Sequence, residues 1–132
     1  YYASSKAALE LLTNGLMKEL APLGIKAMVV QPGAFRTRFY DSTSLQGTTS
    51  TISSYESVVG KSRPGNFEVK HNQAGDPIKA GKVIVEVVNS DNLPEILTLG
   101  KAAVTAVKST LEAKIAELDK WAEVSASVDF EE

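Results

Sequence analysis

The sequence predicts an α/β protein with a parallel sheet, of which these 132 residues hold only some of the strands. Three observations carry that class. Two short, continuous apolar runs, "AMVV" and "EILTLG", have the length and composition of strands covered on both faces. Each is preceded and followed by helical or loop patterns, so the two are not hairpin neighbours. The first helix reaches its strand through a turn of two to four residues, which is half of a βαβ unit. Two strands cannot bury a sheet on both faces, so the rest of the sheet is expected outside this chain.

The elements follow in order. From residue 2 to about 22, Leu9, Leu12, Leu16 and Leu20 recur at three- and four-residue steps, predicting a helix buried along that stripe. Gly15 on this helix would admit a second backbone. Pro22 and Gly24 end it, with Gly24 suited to a left-handed closing turn. A strand is predicted over 26–31, stopped by Pro32 and Gly33, since proline cannot donate to a ladder. Residues 38–75 are rich in Ser, Thr and Gly and read as a mobile segment with one short helix, a lid by position. Asp76 and Pro77 supply an N-cap and a first-turn proline for a helix over 77–89. A second buried strand is expected at 95–99. A long amphipathic helix over 101–123 then carries Val104, Val107, Leu111, Ile115, Leu118 and Trp121, ahead of a loose tail.

Composition excludes several function classes. Charged residues make up 23% of the chain and the formal net charge is -2, with Lys and Arg scattered, so no nucleic-acid or membrane partner is assigned. No apolar run approaches the roughly 18 residues that cross a bilayer. The absence of cysteine removes thiolate chemistry and Cys-based metal sites, and suits a cytoplasmic setting. No metal is expected. The opening "YYASSKAALELL" has no initiator Met and enters a helical pattern at once, which reads as a cut chain.

That opening also carries chemistry. Tyr2 and Lys6 are one helical turn apart on one face, whereas Tyr1 points elsewhere. A phenol normally ionises near ~10, too high for a general base at neutral pH, and a nearby ammonium favours the phenolate. The pair therefore suits proton transfer at a substrate oxygen. Ala3, Ser4 and Ser5 leave room beside it.

With "YASSK" as a Tyr-x-x-x-Lys motif and "VVQPGAFRT" as a strand followed by Pro-Gly-x-x-x-Thr, the sequence resembles the short-chain dehydrogenases/reductases across its whole length. The resemblance implies the C-terminal portion of a Rossmann-type doubly wound parallel sheet, the N-terminal strands being absent from this chain. It implies an NAD(P)-dependent oxidoreductase that moves hydride reversibly between the nicotinamide and a small carbonyl or alcohol substrate. Tyr2 would be the general acid/base, and Lys6 would hold the ribose hydroxyls and lower the Tyr2 pKa. Backbone near Phe35 would bind the carboxamide, after the Pro32-Gly33 turn that lets a flat ring approach. The Thr37 hydroxyl would meet the carboxamide or a phosphate, and 38–75 would be the substrate lid. Family members also commonly form homodimers or homotetramers through the first helix. The Gly-rich pyrophosphate turn, the residue that chooses NAD or NADP, the family's catalytic Ser and its helix Asn all fall outside these residues. Ser4 and Ser5 do not replace that Ser. The 132-residue piece alone is therefore expected to be inactive.

The remaining candidates keep two readings each. His71 reads as a solvated loop residue rather than a triad or metal ligand. Arg36 and Arg38 either carry surface charge or meet a cofactor phosphate. Tyr40 and Tyr55 either line a substrate pocket or anchor the lid. The near-heptad stripe ending at Trp121 offers the alternative function, a non-catalytic helical interaction module or a degenerate remnant of the family serving as one.

Overall fold

The computed structural model describes residues 2–41, 44, 52–59 and 71–130. In chain order these hold α1 (Tyr2–Leu20), β1 (Val29–Pro32), α2 (Glu56–Val59), α3 (Pro77–Val88), β2 (Ile96–Leu99) and α4 (Lys101–Ala126). Single 3-10 turns lie at Ala21–Leu23, Arg38–Tyr40 and Ser53–Tyr55. The chain divides into two units, Tyr1–Gly33 with Val87–Glu132, and Ala34–Glu86. Most of the predicted 38–75 lid lies outside the described residues.

In the first unit, β1 and β2 form a two-stranded parallel sheet in the register Val29↔Ile96 to Pro32↔Leu99. The Val29 N–H donates to Glu95 at 2.8 Å and the Gly33 N–H to Leu99 at 2.9 Å. Odd-numbered donors of β1 thus face β2, and the N–H that Pro32 lacks falls on the other side of the strand. This is why Pro32 closes the strand from inside rather than stopping it at Gln31. The predicted start at 26 gives way to Val29 because a strand extends only as far as its partner, and β2 has four residues.

Gly24 ends the turn after α1 with φ 72°, the left-handed conformation open to glycine, and its N–H donates to Ala21 at 3.0 Å. α1 then lies antiparallel to β1. Met17 and Ala21 line an open groove with Ile25, Ala27, Leu93 and Glu95, before the strands begin, whereas Glu10 meets Gln31 near their end.

The face that α1 turns to the sheet is not the predicted leucine stripe. Glu10, Thr13, Asn14, Met17 and Leu20 are half-buried, while Leu9, Leu12 and Leu16 are exposed, Leu12 by 71%. Two strands offer one contact surface, and a mixed polar and apolar face takes it. Gly15, on the outer side, has open space where a Cβ would stand. Leu99 is the one buried hydrophobic residue among those described, so a sheet covered on both faces is not realised here.

α4 leaves β2 through Gly100, at φ 102°, and Ala103 packs on the β1 terminus. It runs on through Ala126, past the predicted end at 123, into the stretch expected to be loose. In the second unit, the Asp76 carboxylate accepts from the N–H groups of Ile78 at 2.8 Å and Lys79 at 3.2 Å, the cap expected for α3. Among the described residues no helix is long and apolar enough to cross a membrane.

Candidate active site

Tyr2 and Lys6 stand one turn apart on α1, and the Lys6 ammonium lies over the Tyr2 ring, 5.4 Å from its centroid. Both are exposed, Tyr2 by 62%. The Ser5 hydroxyl donates to the Tyr2 carbonyl at 2.8 Å, so Ser5 serves the helix backbone.

The pair owes its place in the first unit to a polar chain that the sequence reading did not find. The Gln31 side-chain amide Nε2 donates to a Glu10 carboxylate oxygen at 2.9 Å, and the Thr98 hydroxyl donates to the Gln31 side-chain Oε1 at 3.1 Å. All three are half-buried and join α1, β1 and β2. Tyr2, Lys6 and Glu10 follow each other at four-residue steps on one face. With a rise of about 1.5 Å per residue, Lys6 lies about 6 Å and Tyr2 about 12 Å beyond Glu10 along the helix. The strand continues past Gln31 by a single residue, so both side chains stand outside the carboxyl ends of β1 and β2. That is where open α/β sheets bind ligands. The signal was available in the sequence as Glu10 at the next four-residue step, but only strand register reveals its partner.

Pro32 and Gly33 end β1, and the demand for glycine has a local cause. A Cβ on Gly33 would stand 2.9 Å from the Ala103 Cβ and 3.2 Å from the Leu99 carbonyl oxygen. The missing side chain makes room for α4, an account that needs no flat ring nearby.

Phe35 and Thr37 belong to the second unit. Phe35 forms a parallel bridge with Gly75, in which the Gly75 N–H donates to Ala34 at 3.1 Å and the Arg36 N–H to Gly75 at 3.0 Å. The bridge uses the Ala34 carbonyl and the Arg36 N–H, so the N–H and carbonyl of Phe35 itself point away from Gly75. Gly75 admits nothing larger, since a Cβ there would meet the Phe35 ring at 2.6 Å. The Arg36 guanidinium Nε donates to the Gln73 backbone carbonyl at 2.6 Å, and Arg36 stays exposed. The Thr37 hydroxyl accepts from the Phe39 N–H at 3.3 Å and caps the following turn. His71 is exposed with its Nε2 3.4 Å from Asp41. Arg38 and Tyr55 are exposed as well. Among the described residues, one open groove lies before the strands and another along α4, and neither of these is lined by Tyr2 or Lys6.

The comparisons agree with this architecture. Residues 1–47 match the family model described as short chain dehydrogenase. Oxidoreductase BOA17 of Botryotinia fuckeliana is 28% identical over 124 residues, covering 94% of this chain and 44% of the relative. A 3-ketodihydrosphingosine reductase of Bacteroides thetaiotaomicron is 31% identical over 94 residues, 71% of this chain and 35% of the relative. The chain thus spans less than half the length of either. A solved short-chain dehydrogenase from Streptomyces avermitilis superposes with a TM-score of 0.77 at 36% identity, over 98% of this chain and 46% of that one. The sequence of residues 1–47 and the backbone of nearly the whole chain therefore both match short-chain dehydrogenases.

Proposed function

We propose that the chain supplies the proton-transfer side of an NAD(P)-dependent oxidoreductase acting on a small carbonyl or alcohol. One observation carries the reading: Tyr2 and Lys6 share the sheet-facing side of α1 beyond the carboxyl ends of both strands. When bound, the nicotinamide would give or take the hydride. Tyr2 Oη would donate a proton to the carbonyl oxygen, or take one from the alcohol. The Lys6 ammonium, already over the Tyr2 ring, would reach ribose hydroxyls. Phe35, whose N–H and carbonyl are turned away from Gly75, would offer a donor and an acceptor to a carboxamide, and Pro32-Gly33 would set where that backbone begins. The Thr37 hydroxyl, which accepts within its own turn, would still have its proton to donate to the carboxamide or a phosphate. Taken unit by unit, these donors and acceptors would suit the chemistry of a dinucleotide's nicotinamide end. The Gly-rich pyrophosphate turn is not in the 132 residues, so they alone should not turn over substrate.

In the intact protein, Tyr2→Phe should lower turnover about 10²- to 10⁴-fold, followed by NAD(P)H absorbance, with cofactor affinity nearly unchanged. Lys6→Ala should weaken both. Full turnover in Tyr2→Phe would remove Tyr2 from the chemistry. The exposed stripe of α4 favours a second reading, a non-catalytic protein-interaction module: such a module would bind its partner with or without Tyr2 and ignore nicotinamide cofactor.

A further inference from the structure

We infer that α4 is a self-association surface, pairing antiparallel with α4 of a second copy of this chain; the inference stands apart from the oxidoreductase reading. Val104, Val107, Leu111, Ile115, Leu118 and Trp121 recur at steps of three and four along one side of the helix, and all are exposed. α4 packs on the sheet at its start, through Ala103 at Gly33, while Val104, Val107, Leu111 and Ile115 line an open groove beside Thr98. At about 1.5 Å per residue the helix is roughly 39 Å long, so most of the stripe runs past the strands.

Charge chooses the occupant. On one flank of the stripe the N-terminal half of α4 places Lys101 and Lys108, and the C-terminal half places Glu112, Asp119 and Glu123. Antiparallel pairing sets this flank against the same flank of the other helix, so the basic start of each meets the acidic end of the other. Parallel pairing sets it against the opposite flank, where Ala103, Thr110 and Glu117 offer a single acid. Lys108 and Glu112 already attract each other within one helix at 3.8 Å, and both stay exposed.

The register follows from the apolar steps. Val104 lies opposite Trp121 of the partner subunit, Val107 opposite Leu118 of the partner subunit, and the two-fold axis passes between Leu111 and Lys114. Lys114 is then the one polar residue in the seam, a device that fixes register at some cost in affinity.

These 132 residues hold no cysteine, so a cysteine placed on α4 has no other among them to compete for the cross-linker. Lys114→Cys stands beside the axis, its copies offset by about 4.5 Å along the helix, and a short bismaleimide should link it into a dimer. Ala122→Cys lies on the same stripe with its copies about 28 Å apart, and should stay monomeric on denaturing gels. Linkage of both variants, as from parallel pairing or aggregation, overturns the inference. Linkage of neither, as when another protein or another part of the molecule covers α4, overturns it too. Sedimentation velocity gives an independent check: Leu118→Asp should convert dimer to monomer while helix content by circular dichroism stays unchanged, and an unchanged dimer places the contact elsewhere.

Discussion

α1 and α4 are both long helices with an exposed apolar stripe, yet the sheet holds them by different means. α1 is tied near its middle by Glu10, which binds Gln31 and through it Thr98. α4 is held at its start, where Ala103 fills the space left by Gly33. A helix fixed near its middle by directional bonds has a defined rotation about its axis, and Tyr2 and Lys6 inherit that rotation. A helix fixed at one end projects its remaining length for contact with something else. Apolar periodicity is common to both and distinguishes neither.

The sharpest way to break the comparison is to remove the space at the start of α4. Gly33→Val would push a branched side chain into the Ala103 Cβ and the Leu99 carbonyl and should cost about 1–3 kcal/mol, read from the urea midpoint. Ala103→Gly should restore much of the loss from the smaller Gly33→Ala change, and failure of that rescue would place the strain elsewhere. A smaller effect is expected at the tie on α1. Glu10→Ala leaves a half-buried amide without its acceptor and should cost about 1 kcal/mol, whereas Glu10→Gln keeps an acceptor and should lose less. Equal losses would show that the charge, not the hydrogen bond, holds the helix. The smallest change concerns the outer surface of α4. Lys108→Ala removes an exposed one-turn ion pair and should alter helix stability by less than about 0.5 kcal/mol in thermal melts by circular dichroism under monomeric conditions.

Local chemistry was legible in the sequence wherever a few adjacent residues determine it. The Asp76-Pro77 cap, the left-handed Gly24 and the short apolar runs announce themselves, because their partners lie within a turn or within the strand itself. The Tyr2-Lys6 pair was legible for the same reason, being one helical turn. What stayed hidden depends on register between distant segments. The leucines of α1 outweigh Glu10 in any hydrophobic count, and only the pairing of Gln31 with Thr98 shows why a carboxylate faces the sheet. Gly33 has a packing reason too, which shows only once Ala103, far along the chain, is seen to need the space. Pro32 reads as a terminator until strand parity turns its missing donor away from β2.

The bridge between Phe35 and Gly75 has an evolutionary consequence. By joining its two ends it makes the intervening chain a closed loop, whatever its length. Loop-closure cost grows only logarithmically, at about 0.6 kcal/mol for each doubling of length. Insertions, deletions or replacement between residues 41 and 71 are therefore cheap in loop-closure terms, provided that position 75 stays glycine and the Arg36 and Ala34 backbone bonds survive. Diversification can concentrate there while the strands and the Tyr2-Lys6 helix remain as they are.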